Sequence, residues 1–134
     1  MKKFFTVFVS CLLACVSMMS QAEIVSQEVA LATAESILMN DQDWQGAGEA
    51  TVKLVEHEGV PAYYIIEYSE GGWAIISAQS SSEPLIGYNY TGKYVAPEPM
   101  QALLDMNARR IVKESEMNLE SHIAWNEDMR RKPA

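Results

Sequence analysis

Apolar and polar positions divide the chain into regions of different character. Met1-Lys2-Lys3 is a short basic start, and Phe4 to Met19 (FFTVFVSCLLACVSMM) is almost wholly apolar before the small-x-small triplet Ser20-Gln21-Ala22. That layout predicts a secretory signal peptide over residues 1–22, cleaved after Ala22. The apolar run of 16 residues is short for a membrane span. Past it, Ala30, Leu31, Ala34, Ile37 and Leu38 recur at helical spacing. They predict a helix from Gln27 to Met39, with Ser26 as N-cap and Glu28 where the helix dipole favours a negative charge. Asp41 to Ala50 is polar and contains glycine, a loop with Trp44 as its anchor.

The period then changes from helical to strand-like. Thr51–His57, Ala62–Tyr68 (AYYIIEY), Trp73–Gln79 (WAIISAQ) and Leu85–Tyr90 (LIGYNY) read as four strands. Between them lie the turns Glu58–Pro61 and Ser69–Gly72 and the polar loop Ser80–Pro84. Connections this short favour antiparallel pairing. After the Pro-containing stretch Thr91–Pro99, a stripe of Met100, Leu103, Leu104, Ala108, Ile111 and Val112 predicts a long helix. Leu119 and Ile123 extend the stripe, Ser115 interrupts it, and the far turns are expected to reach beyond the body of the domain after residue 116. The order α-β-β-β-β-α predicts an α+β domain: a four-stranded antiparallel sheet with an N-terminal and a long C-terminal helix packed on it, both helices on one face in two layers. Residues 23–134 form that single domain.

Composition narrows the chemistry. The chain of 134 residues carries 10 basic and 18 acidic residues, net −8. Cleavage after Ala22 removes Lys2 and Lys3 and leaves 8 basic against 18 acidic residues, net −10. A nucleic-acid partner is therefore not expected, because a polyanion needs a basic footprint. The basic cluster Arg130-Arg131-Lys132 is suited to a helix C-terminus. Both cysteines, Cys11 and Cys15, lie in the leader, so the cleaved chain has no thiol nucleophile, disulfide or cysteine metal site. Leu12-Leu13-Ala14-Cys15 also reads as a lipobox; lipidation of Cys15 would instead tether the same domain to a membrane.

Catalytic and metal constellations are not expected either. His57 and His122 are the available imidazoles, and no G-x-S-x-G elbow surrounds any serine. Glu67 reads as a carboxylate facing water from the sheet. Asn40-Asp41-Gln42-Asp43 has only part of a calcium-loop spacing, and Gly71-Gly72 is a turn signal. No metal or cofactor is expected, and the chain reads as a binding module and not as an enzyme. The dense aromatics Tyr63, Tyr64, Tyr68, Trp73, Tyr88, Tyr90 and Tyr94 suit cross-strand packing or, where exposed, an interface.

The run Tyr64 to Tyr90, YIIEYSEGGWAIISAQSSSEPLIGYNY, resembles the streptopain-type propeptide and Spi protease inhibitor family. Gly71-Gly72-Trp73, Ile75-Ile76-Ser77, the polar loop Ser80–Pro84 and Ile86-Gly87-Tyr88 match its central motif. Ala30, Ala34 and Leu38 match its first helix, and Thr91-Gly92-Lys93-Tyr94 with Met100–Val112 its last turn and helix. The likeness spans roughly Glu23 to Glu116. It departs at Ala78-Gln79-Ser80, where members often carry an acidic residue.

The resemblance implies a stand-alone, secreted or periplasmic inhibitor of a papain-like, streptopain-type cysteine protease. It further implies that Tyr94, Val95, Ala96, Pro97, Glu98 and Pro99 lie against the catalytic cleft, with Glu98 as a polar contact. The loop of Ser80, Ser81 and Ser82 is the second expected contact. Two other readings stay open: a pro-segment of a split or truncated protease gene acting in trans, and a secreted adhesion module using the tyrosine-rich sheet.

Overall fold

The computed structural model describes residues 22–40, 44, 48–117 and 119–125. The leader with Cys11 and Cys15, the loop residues Asp41–Asp43 and the cluster Arg130–Lys132 lie outside the described residues. The chain runs α1 (Gln27–Leu38), β1 (Ala50–His57), β2 (Val60–Tyr68), β3 (Trp73–Ser77), β4 (Leu85–Asn89) and α2 (Glu98–Ser115). Its strands form one antiparallel sheet in sequence order. The Ser26 hydroxyl accepts a hydrogen bond from the Val29 amide at 3.2 Å, satisfying one of the orphan donors at the start of α1.

The expected two-layer packing is corrected. The helices cover opposite faces of the sheet, in three layers. Successive residues of a strand point to opposite faces. In β2, Tyr64, Ile66 and Tyr68 join Ala30, Ala34 and Leu38 of α1 in one core, along with Ala74 and Ile76 of β3. Tyr63 and Ile65 join Leu104, Ala108 and Val112 of α2 in the other, along with Ile75. The physical reason is visible in the central strands: residues 62–66 and 74–77 are buried without alternation. A strand apolar on both sides must be covered on both sides.

Local irregularities align the strands. Glu58 (φ 52) and Gly59 (φ 78) make a two-residue hairpin turn between β1 and β2. One position on, the register shifts between Val55 and Glu56, leaving Ala62 as the extra residue of β2. That bulge reverses the facing of the strand end, so Val60 packs on the α2 side with Tyr63 and Ile65. Pro61, expected in a turn, sits within β2, where its carbonyl accepts from the Gln79 side chain at 2.9 Å. At the other end Gly72 (φ 98) lies so near Trp44 that a Cβ would meet its Nε1 at 2.9 Å. Trp44 does anchor its loop, edge-on to Tyr68 at 5.1 Å.

The chain beyond α2 also differs from expectation. The helix ends at Ser115 with Glu116 as C-cap. Residues 119–125 then run back along the end of the sheet. The His122 amide donates to the Ser80 carbonyl at 2.6 Å, and Trp125 is buried in the α1-side core. Leu119 and Ile123 do not continue the α2 stripe; they are 40% and 68% exposed.

Tyrosine burial links this core to pH. Burial pushes the Tyr68 phenol well above its ordinary value, and the Glu35 carboxylate adds to the shift. Tyr63 and Tyr64 shift upward too, chiefly through burial. A raised phenol pKa leaves its stability contribution intact below about pH 10, and that contribution is lost as pH rises from there towards the folded-state value. The Tyr64 hydroxyl donates to the Val25 carbonyl at 2.7 Å, whereas the Tyr68 hydroxyl has no partner among the described residues. Tyr68→Phe should therefore leave stability at neutral pH within about 1 kcal/mol of the parent. It should also shrink the stability lost between about pH 10 and 12. Urea midpoints at both pH values check this; an undiminished alkaline loss would count against Tyr68 as its source.

Candidate functional site

The stretch 94–99 forms a ledge between β4 and α2 with alternating attachment. The Tyr94 ring stands edge-on to Trp73 at 5.4 Å and 79°. Such a pair contributes about 0.5–1.5 kcal/mol beyond its buried area. Ala96 packs against the α2-side core, as does Met100. Between these anchors Val95 is 69% exposed, and Pro97, Glu98 and Pro99 are exposed as well. Pro97 is the N-cap residue at φ −65, ψ 164, with no side-chain capping bond, and a proline follows in the first turn. Proline fixes φ near that value, so the backbone of the ledge is held before any partner arrives. Glu98 sits in the first turn of α2, where the dipole favours a carboxylate.

Burial raises the Tyr94 phenol pKa first, and the Glu67 carboxylate adds to it. Glu67 is half-buried, close enough to the ledge for its charge to act on Tyr94.

Ser80, Ser81 and Ser82, the second expected contact, occupy the opposite end of α2. Ser81 and Ser82 are buried. The Ser82 hydroxyl donates to Glu114 Oε2 at 2.9 Å, and its carbonyl accepts from Trp125 Nε1 at 2.7 Å. Ser80 is half-buried; its hydroxyl accepts from the Glu23 amide at 2.7 Å and lies 3.0 Å from the Ser121 hydroxyl. The loop is polar because it supplies hydrogen bonds to the segment before α1, to α2 and to the 119–125 segment. Glu98 and Glu114 are separated by the length of α2, about 24 Å at 1.5 Å per residue. The two expected contact sets therefore do not form one site.

The remaining candidates are dispersed. His57 lies 4.0 Å from Glu58 and His122 lies 3.9 Å from Glu83, each pair at the surface. Among the described residues no group of His, Cys, Asp and Glu converges as metal ligands do. Tyr63, Tyr64 and Tyr68 are core residues, while Tyr88 and Tyr90 are exposed. Cross-strand packing thus accounts for most of the tyrosines, and a continuous aromatic face is not formed. Trp125 and Glu114 are not among the residues that the sequence singles out; the tryptophan after a run without periodicity is the available signal.

No curated protein and no solved structure matches the chain. A family model described as Spi protease inhibitor matches residues 22–111, about two thirds of the chain. The matched span holds α1, all four strands, the ledge and most of α2, and it ends before the 119–125 segment. By that match the chain belongs to the Spi protease inhibitor family, a family of protease inhibitors.

Proposed function

We propose that this protein is an exported inhibitor of a papain-like, streptopain-type cysteine protease, and that the Tyr94–Pro99 ledge occludes the catalytic cleft of its target. The observation that carries the reading is the exposed Val95 held between the half-buried anchors Tyr94 and Ala96. A ledge fixed in this way loses little entropy on docking. Pro97 and Pro99 have no backbone N–H, so the ledge withholds two of the donors that a cleft uses to grip an extended substrate. Glu98 is positioned as the polar contact to donors of the cleft.

Export is part of the same proposal. The basic start, apolar run and small-x-small triplet of residues 1–22 carry this part of the reading: cleavage after Ala22 and a secreted or periplasmic location. A lipid anchor at Cys15 would leave the ledge accessible. Glu23, which follows the expected cleavage site, adjoins Ser80 at the far end of α2 from the ledge.

The test titrates the domain 23–134 against a streptopain-type protease of the source organism. Stoichiometric loss of activity at nanomolar concentration is expected, and full activity at saturation would overturn the reading. Replacing Pro97-Glu98-Pro99 with Gly-Ser-Gly should weaken inhibition by about tenfold or more while costing only about 1–2 kcal/mol of stability, the entropy of two freed proline positions, since the three side chains are exposed. Inhibition retained within about 1 kcal/mol would remove the ledge from the mechanism.

A further inference from the structure

The solvent face of α2 carries an apolar row that the fold does not use. Pro99, Leu103, Met106 and Arg110 recur at i, i+4, i+7 and i+11, so they stand in one line along the helix. All four are exposed, with Leu103 at 59% and Met106 at 63%. The opposite line of Leu104, Ala108, Ile111 and Val112 already supplies the face that packs on the sheet. A helix on the outside of a domain needs one apolar stripe, and α2 has a second. A lone exposed leucine is ordinary; this row begins at Pro99, the last residue of the ledge, on which Val95 is also exposed.

Size identifies what covers it. A stable protein interface removes about 800 Å² from each partner, a patch about 30 Å across. Leu103 and Met106 lie about 7 and 12 Å along the helix axis from Glu98, by the rise per residue. A globular partner seated on Val95 and Pro97 therefore overhangs the first turns of α2. Charge adds a direction. Arg109, Arg110 and Lys113 follow the apolar residues on this helix, in a chain whose net charge is −8. Arg110 pairs with Glu114 Oε1 at 2.7 Å and Asn107 Oδ1 at 3.1 Å, so the exposed Arg109 and Lys113 supply the positive charge.

We infer that the outer row of α2 is a second contact with the target protease, covered by an apolar surface beside the catalytic cleft that is bordered by carboxylates further out. This inference rests on the reading of the ledge as the segment within the cleft. The row sets affinity and selectivity among proteases, whereas the ledge blocks the catalytic centre.

The experiment compares domain 23–134 with its Leu103→Asp/Met106→Asp variant in inhibition titrations against the same protease. The inhibition constant should rise by about 30-fold or more, with the urea midpoint unchanged. Met106→Arg alone is the second variant if the double substitution disturbs folding; it should weaken inhibition in the same direction. An unchanged inhibition constant, with the parent still inhibiting, overturns the row and leaves the ledge standing. A parent that fails to inhibit overturns both. Loss of self-association on Leu103→Asp/Met106→Asp, without loss of inhibition, overturns the inference in favour of a contact between copies of this chain.

Discussion

Trp125→Ala is expected to cost about 3–5 kcal/mol of folding stability, a large share of what a domain of this size possesses. Trp125 is buried in the core formed by α1 and the sheet, although it lies ten residues past the end of α2. Alanine would leave a cavity beside that core. It would also remove the Nε1 donor from the Ser82 carbonyl, which sits in a buried loop. Trp125→Phe separates the two effects: it keeps most of the apolar volume and should cost about 1–2 kcal/mol, mainly through the lost hydrogen bond. Urea denaturation of domain 23–134 provides the measurement, with tryptophan fluorescence as a second probe. A chain ending at Met117 should be destabilised at least as much as Trp125→Ala, because the His122–Ser80 backbone bond goes as well. Equal midpoints for parent and Trp125→Ala would mean that the segment contributes nothing to the fold.

How legible this arrangement is from sequence depends on the range of the interaction. Local signals worked. Ser26 caps α1 through an oxygen three residues from its partner amide, and Ala30, Ala34 and Leu38 face the core as their spacing predicts. The strands follow from β-branched and aromatic runs between turn residues, and their antiparallel order from short connections. The two-layer expectation fails at β2, where odd and even positions serve different helices. The absence of alternation was itself the signal for cover on both faces.

Long-range polar contacts were not legible. Ser80–Ser82 has the composition of a surface loop, yet its partners are Glu23, Glu114, Ser121 and Trp125, distant in sequence. Nothing in three serines specifies which carboxylate or indole will reach them. The ledge was half legible. Proline spacing marked Tyr94–Pro99, but which of its side chains point inward depends on Trp73, a strand and a loop away.

Leu38→Ala and Leu104→Ala should each cost about 2–5 kcal/mol, and their costs should add within about 0.5 kcal/mol. Leu38 is fully buried on the α1 side and Leu104 is buried on the α2 side. The sheet stands between them, so neither cavity borders the other and they share no partner. Two helices lying side by side on one face would behave differently. Their leucines would line one core, the second cavity would form in a site already loosened by the first, and the costs would couple by about 0.5–3 kcal/mol. The double variant approaches the whole stability of a small domain, so the cycle is best run in sulfate, which raises the stability of every member. Additive midpoints would support three layers from solution data alone. Strong coupling between Leu38 and Leu104 would contradict them, and would also place α2 where its outer row could not overhang a partner seated on the ledge.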